Sequence, residues 1–145
     1  MMPSKAEHWA DPLAVEILRL IDELAGRCAR PFCVVGATAR DLVFFGIHGI
    51  RLGAATSDID FAVGVGSWTD YEAFRAALMA TGRFDEDGKR QHLLRYRAAG
   101  GYPLDLIPYG GVVGSDQNLR WPPEMDPVMN LTGYAEVVAS AVLIE

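Results

Sequence analysis

Apolar residues recur at helical spacing through residues 11–29. Leu13, Ile17, Leu20, Ile21 and Leu24 line one face, with Glu16, Arg19, Asp22 and Glu23 between them. Steps of three and four residues place side chains on one stripe of an α-helix. Asp11 fits the N-cap and Pro12 the first helical position, where a missing N–H is tolerated, while Gly26 and Pro31 bracket the end. The pattern then shortens. Phe32–Val35 is an unbroken apolar run, as expected of a buried strand, and Gly36 ends it. Residues 38–46 predict a helix closed by Gly46, followed by a loop to Ser57 rich in glycine and small residues. Asp58 to Val65 predicts a second strand. Residues 68–81 predict an amphipathic helix with Tyr71, Phe74, Leu78 and Met79 on one face and Gly82 at its end.

Asp87-Gly88 carries a hairpin turn signal, with strands predicted near 83–85 and 91–98. Gly100-Gly101 marks another turn, and 103–108 reads as a strand. Residues 110–127 hold Gly and Pro and few periodic apolars, which predicts a long loop. A further helix is expected over 127–141, and Val142-Leu143-Ile144 reads as the start of a strand. The order α-β-α-β-α-β-β-β predicts an α/β (α+β) fold, a mixed β-sheet with helices packed on it, in one domain over 1–145.

Composition narrows the class. Of 145 residues, half are hydrophobic and 22% charged, enough for a packed core. The net charge of −6 lacks the basic footprint of a domain that binds a nucleic-acid backbone alone. Cys28 and Cys33 have no zinc spacing and read as reduced core thiols of a cytoplasmic protein. No signal-peptide pattern is visible, and the apolar runs are too short to span a membrane.

Three polar features interrupt the apolar pattern. Asp58 and Asp60 stand two apart at the head of a strand, so they share a face and Ile59 points the other way. Two like charges side by side suit a hard cation, Mg²⁺ or Mn²⁺; a turn or N-cap pair of acids is the other reading. Gly36-Ala37-Thr38 joins a strand to a helix, where backbone can approach a phosphate and helical N–H groups can receive it. Strand–glycine–helix turns are also commonly structural. Asp105 is the one polar residue in Leu104-Asp105-Leu106-Ile107, costly to bury unless paired or metal-bound. A salt bridge to Arg95, Arg97 or Arg40 is its alternative. His8, His48 and His92 do not cluster and read as surface or loop histidines. Trp68 and Trp121 could stack on a base, although Trp68 fits better as a helix-start anchor. Arg95 and Arg97 share a face of the predicted strand with Arg90 close by, a face for phosphate or simply for solvent.

In this order, Val35-Gly36-Ala37-Thr38, Asp58-Ile59-Asp60-Phe61 and Leu104-Asp105-Leu106 resemble the motifs of the polymerase-beta-like nucleotidyltransferase superfamily, over about residues 32–108. Within it, Gly36-Ala37-Thr38-Ala39, Thr56-Ser57-Asp58-Ile59-Asp60 and Leu104-Asp105-Leu106-Ile107-Pro108-Tyr109 are similar to AbiEii-type toxin nucleotidyltransferases. The chain departs from the pattern at Ala37, where the family has Gly or Ser, and its nearest upstream basic residue, Arg51, lies five positions before Thr56. Gly36-Ala37-Thr38-Ala39-Arg40-Asp41-Leu42 also resembles the Gly-Gly-x-x-Arg-Asp-Leu segment of tRNA CCA-adding enzymes and poly(A) polymerases.

The resemblance implies that Asp58, Asp60 and Asp105 hold two Mg²⁺ or Mn²⁺ ions, and that Gly36, Ala37 and Thr38 cradle the phosphates of an NTP. Arg40 is the cation nearest that turn, or pairs with Asp41 or Asp105. The implied reaction is in-line transfer of a nucleoside monophosphate to a hydroxyl on an unidentified tRNA, protein or small molecule. An antitoxin or helical partner is a further expectation: related toxins continue with a helical region, and here only a loop and helix over about 110–145 follow the catalytic head. The chain thus reads as a minimal member or as a shortened one needing a partner. The competing class is a catalytically silent nucleotide-binding or partner-binding domain, in which Ala37 marks lost activity.

Overall fold

The computed structural model describes residues 12–36, 39 and 58–139. Helix α1 (Pro12–Cys28) leads into β1 (Phe32–Val35). After β2 (Ile59–Val65) come α2 (Trp68–Ala80), β3 (Phe84–Glu86), β4 (Leu93–Tyr96), a 3₁₀ turn (Ala98–Gly100) and β5 (Tyr102–Gly110). Strands β6 (Asn118–Arg120) and β7 (Val128–Asn130) precede a short helix α3 (Tyr134–Ala139). Apart from Ala39, the predicted helix at 38–46 lies outside the described residues, as do the 46–57 loop and the strand start at 142–144.

Five strands form one mixed sheet in the order β1-β2-β5-β4-β3. The central pair, β2 and β5, is parallel, and β1, β4 and β3 add antiparallel neighbours. The expected mixed sheet with packed helices is what the chain forms. Its core follows from period-two alternation: Ile59, Phe61, Val63 and Val65 on β2, and Leu104 and Leu106 on β5, are buried with the inward faces of both long helices. From α1 these are Ile17, Ile21 and Leu24; from α2, Tyr71, Phe74 and Leu78. Ser67 caps α2, its hydroxyl accepting from the Asp70 N–H at 3.2 Å. Trp68 starts that helix and packs on Tyr71 and Trp121, the anchor role its position suggested.

The C-terminal third differs from its sequence reading. The expected 110–127 loop contains β6, which pairs antiparallel with β7, and the expected 127–141 helix is divided into β7, a turn and α3. Long-range pairing within a small hairpin outweighed a weak helical pattern. The hairpin at Asp87-Gly88 is also wider than its two-residue signal, since β3 and β4 are joined across residues 87–92. Cys28 and Cys33 are free thiols, as expected, but only half-buried rather than core. Among the described residues no helix is long and apolar enough to cross a membrane.

Candidate metal and nucleotide site

The parallel register of β2 and β5 sets Asp60 directly beside Asp105. Both are half-buried, on the sheet face opposite the Phe61–Leu106 core. Asp58, immediately before β2, completes the group: one carboxylate oxygen from each of the three lies within 4.8 Å of the others. Three acids separated by up to 47 positions thus converge because a parallel pairing aligns the starts of two strands. Asp58 and Asp60 therefore do not stand as an isolated pair: with Asp105 they form a cluster whose oxygens could hold a metal ion.

The third predicted element also reaches this point. Val35 on β1 pairs with Asp60, so the chain passes the carboxylate as it leaves the strand. Gly36 adopts φ +72°, and a Cβ there would lie 2.6 Å from Asp60 Oδ2. Only glycine lets the backbone turn in the left-handed region this close to the acid. Ala37, Thr38 and Arg40 lie outside the described residues.

Electrostatics mark Asp60 as the constrained member. Its carboxyl is pushed up to about 6, first by burial, then by a hydrogen bond with the Asp105 carboxyl and by the charges of Asp105 and Asp58. Its Oδ1 is buried and has no hydrogen-bond partner among the described residues. A buried carboxylate oxygen without a donor is costly, and a divalent cation would relieve both that cost and the mutual repulsion. The donor set is all oxygen, which suits Mg²⁺ or Mn²⁺.

Two further residues flank the site that sequence reasoning did not single out. His92, read as a surface or loop residue, is largely buried, with Nε2 3.8 Å from Asp105 Oδ1. Its position just before β4, whose Leu93 pairs with Asp105, puts it there. Burial lowers its pKa, while Asp105 acts in the opposite sense. Tyr134, at the start of α3, is half-buried, and its phenol pKa is raised by burial and then by the charges of Asp60 and Asp105. No local pattern signalled either, because both depend on strand pairing and on a late turn.

The arginine alternatives resolve differently. Arg97 donates to Asp85 Oδ1 and to the Gly82 carbonyl, each at 2.8 Å, in the turn after β4, so it leaves the strand face it was expected to share with Arg95. Arg95 pairs across from Pro103, two positions along β5 from Asp105. Trp121 is fully buried against Trp68, Tyr71 and His92, which removes it as a stacking surface for a base.

No protein-family model matches the chain, and no curated protein does. Among solved structures it is similar to a CCA-adding enzyme in complex with CTP, at 21% identity and a TM-score of 0.49, over 74% of this chain and 24% of that one. A Thermotoga maritima CCA-adding enzyme complexed with tRNA gives 21% identity and 0.49 over 74% and 25%. The antibiotic-resistance factor ANT(2'')-Ia gives 19% identity and 0.46 over 77% of this chain and 59% of that one. The chain spans about a quarter of the length of these CCA-adding enzymes.

Proposed function

We propose that this chain is a divalent-metal-dependent nucleotidyltransferase of the cytoplasm, moving a nucleoside monophosphate from an NTP to a hydroxyl acceptor. The observation that carries the reading is the convergence of Asp58, Asp60 and Asp105, with oxygens within 4.8 Å, beside the bare backbone of Gly36. The order of these motifs along the chain supports it independently.

In this reading Asp58, Asp60 and Asp105 hold two Mg²⁺ or Mn²⁺ ions, which when bound supply charge neutralisation at the triphosphate and at the attacking oxygen. Gly36, Ala37 and Thr38 offer backbone N–H groups and a hydroxyl to the β- and γ-phosphates, and Arg40 adds positive charge. The acceptor oxygen bonds to the α-phosphorus, the bond from that phosphorus to the bridging oxygen breaks, and pyrophosphate leaves. Asp105 is the carboxylate assigned to receive the acceptor's proton. Holding both reactants in line accounts for much of the rate in such transfers.

The wording of the Asp58-Ile59-Asp60 and Leu104–Tyr109 segments supports a toxin-type member, with an antitoxin or helical partner. Ala37, in place of Gly or Ser, favours a second reading in which the domain binds nucleotide without transferring it.

Calorimetry with each NTP, with and without Mg²⁺, tests the site. Metal-dependent binding is expected, lost in the Asp58→Ala, Asp60→Ala double variant. Transfer of labelled nucleotide to a component of a cell lysate separates the enzyme from the silent domain. An intact chain that takes up neither divalent ion nor NTP would falsify both.

A further inference from the structure

Two buried ring nitrogens lie behind Asp105 without hydrogen-bond partners among the described residues: Nδ1 of His92 and Nε1 of Trp121. The two rings are neighbours, with centroids 5.7 Å apart and planes at 47°. The residues next to them are also linked: the Gln91 side-chain amide Nε2 donates to the Pro122 carbonyl at 2.8 Å. An indole N–H can only donate, whereas a neutral imidazole has one donor nitrogen and one acceptor. Neither nitrogen is hydrogen-bonded in the structure; an indole N–H brought to Nδ1, directly or through one shared water, would satisfy both buried groups at once. Such a pairing would leave Nδ1 bare and the proton on Nε2, the atom that faces Asp105 Oδ1 at 3.8 Å.

Among the described residues the Asp105 carboxyl hydrogen-bonds with that of Asp60 and approaches Nε2 of His92. Its strand neighbours Leu104 and Leu106 are buried and apolar, and the Tyr71 hydroxyl donates to the Leu106 carbonyl, not to the carboxylate. We propose that His92 is a positioning residue for the site: held by Trp121 as the Nε2–H tautomer, it orients the Asp105 carboxylate toward the cation position shared with Asp58 and Asp60. The 3.8 Å separation is longer than a hydrogen bond, so the proposed orientation requires the two groups to approach further when a cation is bound. Partners behind metal ligands commonly fix ligand orientation in this way. The inference rests on the metal-binding reading above.

The test uses the intact chain and Mn²⁺ as the probe. Ring-¹⁵N NMR should show His92 as the Nε2–H tautomer, and Trp121→Phe, which keeps an aromatic ring but removes the indole donor, should redistribute it. Calorimetric titration should show Mn²⁺ affinity falling about tenfold or more in His92→Ala, the range for partners of metal ligands. His92→Gln, whose amide N–H can reach the place of Nε2, should stay within about threefold of the native chain by the same scale, whereas the shorter His92→Asn should resemble His92→Ala. A merely structural histidine would give parallel losses in all three variants. An Nδ1–H tautomer, or native Mn²⁺ affinity in a folded His92→Ala, overturns this inference while leaving the metal site standing. A native chain that takes up no Mn²⁺ overturns the metal site and this role together.

Discussion

Gly36 and Asp60 show how closely single residues constrain one another here. An alanine at 36 would have to hold φ near +72° and place its Cβ 2.6 Å from Asp60 Oδ2. Gly36→Ala is therefore expected to cost about 1–2 kcal/mol for the left-handed backbone and, by displacing the carboxylate, to weaken divalent-ion binding. Denaturant unfolding and Mn²⁺ titration of the same variant read the two effects separately. Asp60 supplies a pH signature. Its carboxyl titrates near 6 in the fold, against about 4 in an unfolded chain. Between those values the folded protein holds a proton that the unfolded chain has lost. Without metal, stability should therefore fall as pH rises from about 4 to about 6 and then level off. Asp60→Asn removes this component, so the stability difference between variant and native protein should shift in the variant's favour across that window. Urea midpoints at several pH values check it, and a difference that does not change with pH would contradict the assigned environment of Asp60.

The elements place these residues, and the close meeting of β2 and β5 is the critical junction. Parallel pairing brings Asp60 beside Asp105 at one end of the two strands and Val65 beside Gly110 at the other. At that far end the backbones run so close that a Cβ on Gly111 would lie 2.1 Å from the Gly66 carbonyl oxygen. Gly111→Ala is expected to cost about 3 kcal/mol, the upper part of the range for overpacking, because two backbones cannot move apart without loosening the pair. Gly26, inside α1, is the control: a Cβ there meets nothing within 4 Å. Gly26→Ala should add about 0.5–1 kcal/mol by helix propensity. Thermal unfolding of the two variants gives opposite signs if β2 and β5 pack as described. Elements were legible in the sequence wherever a helical periodicity or an apolar run met a clear stop, as in α1, β1, β2, α2 and β5. The β6–β7 hairpin was not legible, because three-residue strands carry almost no periodicity and are stabilised by a partner that only the fold supplies.

At the scale of the whole molecule, a net charge of −6 is combined with three acids gathered at one point. Any ion bound there stabilises the native chain and not the unfolded one. At an ion concentration one hundred times its dissociation constant the gain is about 2.7 kcal/mol. Mg²⁺ or Mn²⁺ should accordingly raise Tm by several degrees in the native protein and leave the Asp58→Ala, Asp60→Ala double variant unmoved in differential scanning calorimetry. The sequence by itself marked the separate pieces: two acids two positions apart at the head of a strand, an apolar strand around Asp105, and a glycine at the end of β1; their grouping came from the order of the motifs, through the family resemblance. The pieces are local facts, set by a period of two and by the cost of burying a charge. Only the tertiary structure decided what stands around them. The parallel register places Asp60 against Asp105, the start of β4 brings His92 to Asp105, and the turn before α3 brings Tyr134 toward the site. Neighbours supplied by strand pairing and chain return leave no trace in local periodicity, since the contacts join residues remote along the chain.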